Sequence, residues 1–164
     1  MMTKPSEKLA SYLASLLDAK PERCEGVFSR TADNFEDDLL EFEAFPPGYF
    51  DFMLTLLSDV RFFSRAGLWN FLLVLSTESE KLEESHYRVL AQVIADHYIE
   101  YQDKDLCLAV CDFIARSYEA SRARHLLLQL KELEAGRPLQ LQGFADEGLK
   151  LLEREVSRSM KSRH

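Results

Sequence analysis

Apolar residues recur three and four positions apart along almost the whole chain, and that spacing limits its fold more than any other feature. Leu9, Leu13, Leu16 and Leu17 fall on one side of a helix, as do Phe50, Met53, Leu54 and Leu57. Tyr87, Leu90, Val93, Ile94, Tyr98 and Tyr101 form another such stripe. No segment alternates long enough to read as a strand. "RPLQLQG", residues 137–143, alternates briefly and reads as a loop. Six Gly and five Pro in 164 residues are too few for the many turns of a sheet-rich fold. The fold class is therefore all-α: one domain of seven or eight helices, stacked as antiparallel pairs in HEAT-like or armadillo-like layers.

Punctuation residues suggest the helix ends. Ser6 is placed to cap a first helix, and Pro21 opens a short segment that Gly26 interrupts. Asp33 followed by Glu36 resembles a capping box, which predicts a helix from Asp33 to about Glu43 with Phe35, Leu39 and Phe42 on one side. Pro46-Pro47 ends it, and Pro47 begins the next. Ser64 is expected to cap residues 65–78, Asp103 residues 104–119, and Ser121 a helix that Gly136 and Pro138 end. A last helix is expected from about Asp146 to Met160. The chain divides into an acidic part, 1–60, helical repeat pairs, 61–135, and a C-terminal helix with a basic tail, 143–164.

A shift of 39 residues lays Ser64 on Asp103. Leu68, Trp69, Phe71, Leu72, Val74 and Leu75 then meet Cys107, Leu108, Val110, Cys111, Phe113 and Ile114, all apolar. A helix pair recurring near 40 residues has the period of HEAT and armadillo arrays, whose concave faces bind proteins.

Charge is uneven. Residues 1–60 hold five basic and twelve acidic side chains, a net of −7. Residues 61–105 hold five and eight, and residues 106–164 ten and eight, so the net charge runs from −3 to +2. The acidic first half repels nucleic acid and anionic membrane and attracts basic partners. The longest apolar run, "LWNFLLVL", is too short to cross a bilayer. The leucines at the N-terminus are interrupted by Glu7 and Tyr12, and read as an amphipathic helix rather than an export signal. Cys24, Cys107 and Cys111 have no framework spacing, which suits a reducing, cytoplasmic setting.

Motifs for chemistry are missing. No glycine cluster cradles phosphate, and neither G-x-S-x-G nor H-E-x-x-H occurs. Cys107 and Cys111, one turn apart, and His97 lack an obvious fourth zinc ligand; two small buried residues is the simpler reading. "EESH" supplies one Glu-x-x-His pair, Glu83 with His86, where a di-iron bundle needs two. The expectation is a non-enzyme with no metal or cofactor. Basic residues gather late, at Arg116, Arg122, Arg124, Lys131, Arg154, Arg158, Lys161 and Arg163, and suit a helix C-terminus and tail.

The stretch "DNFEDDLLEFEAFPPGYFDF", residues 33–52, holds seven carboxylates, six aromatic rings and no Lys, Arg or His. It reads in two ways. As a solvated face, Asp33 caps a helix whose first turn carries Glu36, Asp37 and Asp38, where the helix dipole favours anions. That leaves Glu41 and Glu43 unexplained near the C-terminal end, and Asp37 and Glu41 as a like-charged pair one turn apart. As a recognition surface, Glu36, Asp37, Asp38, Glu41 and Glu43 steer a basic protein, and Phe45 and Tyr49 anchor it.

In size, acidity, helicity and lack of active-site chemistry, the chain resembles the small cytosolic immunity proteins of bacterial contact-dependent and polymorphic toxin systems. The resemblance is one of general character and carries over no residue. It implies a protein that binds a cognate toxin domain and blocks it by covering a basic surface. A helical-repeat adaptor, or an enzyme or ligand binder with a pocket between helices, are the other readings.

Overall fold

The computed structural model describes residues 5–161. Those residues form eight α-helices joined by short 3₁₀ turns, with no strand. The helices are α1 (Pro5–Asp18), α2 (Cys24–Leu39), α3 (Pro47–Ser58), α4 (Trp69–Thr77), α5 (Glu84–His97), α6 (Lys104–Ser117), α7 (Ala120–Glu134) and α8 (Phe144–Lys161). None is long and apolar enough to cross a membrane.

Two rows of helices make two layers. In one row α2 packs on α4, α4 on α6 and α6 on α8. In the other, α1 packs on α3, α3 on α5 and α5 on α7, and the layers join through α1 on α2, α6 on α7 and α7 on α8. Each helix turns its apolar stripe to the space between the layers. Phe28 and Phe35 from α2 meet Phe71 of α4 edge-on, at 6.3 and 5.7 Å between ring centres.

The 39-residue alignment carries over into burial. Leu68, Phe71, Leu72, Val74 and Leu75 are buried, and so are their counterparts Cys107, Val110, Cys111, Phe113 and Ile114. The sixth pair, Trp69 and Leu108, lies instead along a surface groove between α4 and α6.

Several helix starts differ from those expected. Gly26 does not interrupt; α2 runs unbroken from Cys24 to Leu39, so Asp33 lies in its middle and caps nothing. α4 begins at Trp69 rather than after Ser64, because Gly67 takes φ of +101°, outside the helical range. A side chain there would also meet Phe28 Cβ at 2.8 Å, so a glycine lets this turn close on α2. Ser121 lies inside α7, and Glu119 caps it by accepting from the N–H groups of Ser121 and Arg122 at 3.0 and 3.2 Å. Asp103 caps α6 as expected, accepting from the Asp105 N–H at 2.8 Å. Pro47 is the first residue of α3.

Two polar ties fix the C-terminal helices. Both carboxylate oxygens of Glu134, which is 3% exposed, accept from the Ala145 N–H at 3.0 and 3.1 Å and cap α8. The Arg137 guanidinium donates to the Tyr98 carbonyl at 3.0 Å, joining the α7–α8 connection to the end of α5.

Candidate interaction surface

α2 is long because its apolar residues keep helical spacing from the first turn to the last: Cys24, Phe28, Thr31, Ala32, Phe35 and Leu39 are all buried. Its end therefore falls at Leu39, and a tight turn follows. Leu40 donates to the Glu36 and Asp37 carbonyls, Glu41 to Asp38, and Phe42 to Leu39. The chain then crosses to Pro47, pinned by the Phe45 N–H donating to the Lys81 carbonyl at 3.1 Å.

This register reverses the dipole argument. Glu36, Asp37 and Asp38 occupy the last turn of α2, not the first turn of a helix, and no basic residue shares that turn. The negative end of the dipole disfavours each by about 0.3–1 kcal/mol. Local helix electrostatics thus account for none of these three acids.

Two of them interact with distant residues, Asp38 through hydrogen bonds and Glu36 through charge alone. Asp38 is partly buried and accepts from the Tyr12 hydroxyl at 2.7 Å, the Tyr49 hydroxyl at 3.0 Å and the Lys8 ammonium at 3.1 Å. It ties α1, α2 and α3 together. Burial, and then the Asp38 carboxylate, hold both tyrosine hydroxyls protonated far above their usual range. Glu36 faces Glu78 and Lys81. Burial raises its carboxyl, Glu78 and Asp33 raise it further, and Lys81 opposes them. Lys81 reaches the Glu78 carboxylate at 2.9 Å and the Leu39 carbonyl at 2.7 Å, with side chains only 11% and 7% exposed.

The other acids at this end of α2 and in the turn after it face solvent. Asp33, Asp37, Glu41 and Glu43 are exposed and make no hydrogen bond or ion pair through their side chains with other described residues. Among them stand two apolar side chains, Leu40 at 65% and Phe42 at 37% exposure. Phe45 and Tyr49 are each 3% exposed, and both rings pack on Phe35. They belong to the core, so neither is free to be the exposed anchor expected of it. The exposed apolar side chains here are Leu40 and Phe42 instead. Leu39 is buried as its spacing predicts, but Phe42, expected on the same side, stands exposed because the helix stops at Leu39. The missed signal was a helix that runs from Cys24 and ends before Phe42.

The other sequence candidates lie in the framework. Cys107 and Cys111 are fully buried; the Cys107 thiol donates to the Tyr101 carbonyl, and Cys111 lies 3.6 Å from the Tyr98 hydroxyl. His97 pairs with Glu100 at 2.9 Å. His86 accepts from the Glu83 N–H at 2.9 Å, so "EESH" is a helix start. Among the described residues no group of three or more His, Cys, Asp or Glu is arranged to hold a metal ion. Much of the late basic charge meets acids: Arg116 and Arg158 face Glu155, Arg122 faces Glu84, and Lys131 faces Asp146. The Lys161 side chain and Arg163 lie outside the described residues.

Comparison with known protein families, curated proteins and solved structures returned no match to this chain.

Proposed function

We propose that this chain is a non-catalytic protein-binding module, an immunity protein that neutralises a bacterial toxin domain by covering a basic surface. The observation that carries the reading is the tip after α2. Leu40 and Phe42 stand exposed beside Asp37, Glu41 and Glu43, whose carboxylates pair with no other described residue. Exposed apolar area supplies affinity and the neighbouring acids supply steering and Arg contacts, the usual division of labour at a protein interface. Two of these acids follow the end of a helix whose dipole opposes them, so neither stabilises the fold by that route.

The test is co-expression with a toxin domain encoded beside the gene for this chain. Wild-type protein restores growth, and a Leu40→Gln, Glu41→Lys, Glu43→Lys variant that melts normally does not. Full protection by that variant sinks the reading.

A helical-repeat adaptor is the second reading. The two-row stack, with its matched burial 39 residues apart, favours it. Here the same tip binds a basic protein of a cellular assembly, and co-expression with the toxin domain gives no protection.

A further inference from the structure

Between α4 and α6 lies an open groove of about 530 Å³. Trp69, Leu72 and Leu73 line it from α4; Asp105, Leu108, Asp112 and Arg116 line it from α6. On each helix these positions follow three- and four-residue steps, so each presents one continuous face. Leu73 is 52% exposed and Leu108 is 39% exposed. Both helices already bury a full apolar stripe elsewhere, so the core does not require these leucines.

Two carboxylates and one guanidinium line the groove. The carboxylates of Asp105 and Asp112 make no hydrogen bond or ion pair with other described residues. Asp112 is half buried, and burial raises its carboxyl, with Arg116 only partly opposing. Arg116 itself lies 3.8 Å from Glu155. Asp112 thus stands half buried beside exposed leucines, with Arg116 one turn away but no described cation in ion-pair contact, and an incoming molecule can supply one.

We propose that the α4/α6 groove seats an amphipathic helix of a partner protein, with apolar side chains on Trp69, Leu73 and Leu108 and a Lys or Arg on Asp112. The ridges of two neighbouring helices accept a third helix along the groove between them. A cationic occupant complements Asp105 and Asp112. Two copies of this chain repel overall, each carrying a net charge of −8, which disfavours a second copy as the occupant. The groove shares no residue with the tip after α2, and the proposal does not depend on what that tip binds.

The chain has a single tryptophan, Trp69, and it reports on this groove. The experiment titrates the full chain with three tryptophan-free peptides of about 18 residues, roughly five helical turns. One has a leucine face flanked by lysines, one replaces those lysines with glutamates, and one scrambles the first so that it has no apolar face. The expected result is a saturable shift of Trp69 emission to shorter wavelength with the first peptide alone. Asp112→Asn then weakens binding by at least about tenfold, as loss of a desolvated charge partner does. A Leu73→Gln, Leu108→Gln variant, altered only at exposed positions and checked by its melt, loses the shift. The proposal is overturned by no saturable shift, by equal affinity for the anionic or scrambled peptide, or by undiminished binding in the leucine variant. A peptide-independent shift that grows with protein concentration and vanishes in the leucine variant overturns it in favour of a second copy.

Discussion

The Lys81 ammonium donates to the Leu39 carbonyl at 2.7 Å and closes the C-terminus of α2. It also pairs with Glu78, which is 5% exposed. One side chain thus satisfies a helix end, a buried acid and part of the field around Glu36. Lys81→Met leaves Glu78 buried without a cation, and such losses cost about 3–5 kcal/mol. Urea denaturation should show that loss, and Glu78→Gln added to Lys81→Met should recover much of it. A loss below about 1 kcal/mol would mean the pair is exchangeable with water.

Glu36 works against the fold. Its carboxyl is raised by burial and by neighbouring acids. A raised acid binds protons more tightly folded than unfolded, so stability rises as pH falls through the folded pKa toward the ordinary carboxylate range. At neutral pH, Glu36→Gln should therefore stabilise by about 0.3–1 kcal/mol, the scale of a charge at the wrong end of a helix. Melts from pH 7 to pH 4 check the sign: the advantage of the variant should shrink as wild-type Glu36 takes up its proton. An advantage that grows on acidification contradicts this account.

Neighbouring leucines in α4 should behave differently. Leu72 is 1% exposed against α6, and Leu72→Ala should cost about 2–5 kcal/mol through the cavity it opens. Leu73 is 52% exposed, and Leu73→Ala should change stability by no more than about 0.5 kcal/mol. Chemical denaturation of both variants measures the contrast.

At the tip, Glu41→Lys with Glu43→Lys should leave the melt unchanged or slightly higher, because charge disfavoured by the dipole of α2 is reversed. Association with a basic partner should slow and lose its salt dependence. Leu40→Gln and Phe42→Ala should mainly speed dissociation. Phe45→Ala should instead destabilise the fold by about 3–5 kcal/mol, as loss of a buried ring does. Binding kinetics at two salt concentrations, with a melt of each variant, separate these outcomes.

The cysteines should be silent. Cys24, Cys107 and Cys111 are buried and free, and burial pushes the Cys107 thiol up to about 11. A thiol reagent should label none of them until the protein unfolds, because the thiolate is the reactive form and these thiols are shielded. A chelator should leave Tm unchanged. Rapid labelling of the folded chain, or a fall in Tm on chelation, contradicts the core assignment.

Much of the fold was legible in the residues. Helical class, the start of α3 at Pro47, the Asp103 cap and the inward faces of α3 and α5 all follow from spacing and capping chemistry, which act within a few residues. The matched burial of Leu72 and Cys111 was visible as an alignment 39 positions apart. The acidic stretch was legible as an oddity, but its register was not. Asp33 and Glu36 fit a helix start as well as a helix interior, and only packing of Phe28 and Phe35 on Phe71 chooses between them.

What the chain by itself determined was therefore its all-helical class, much of its core and the sign of its surface, because periodicity and charge are properties of neighbours in sequence. Tertiary structure alone decided which acids are structural and which are free. Asp38 is held by Tyr12 and Tyr49 from two other helices, and Leu39 by Lys81 from 42 positions away. Glu41 and Glu43, alike in composition, find no such partner among the described residues. Hydrogen bonds and burial act over a few ångströms of space, and the distances that assign these roles exist only once the helices have packed.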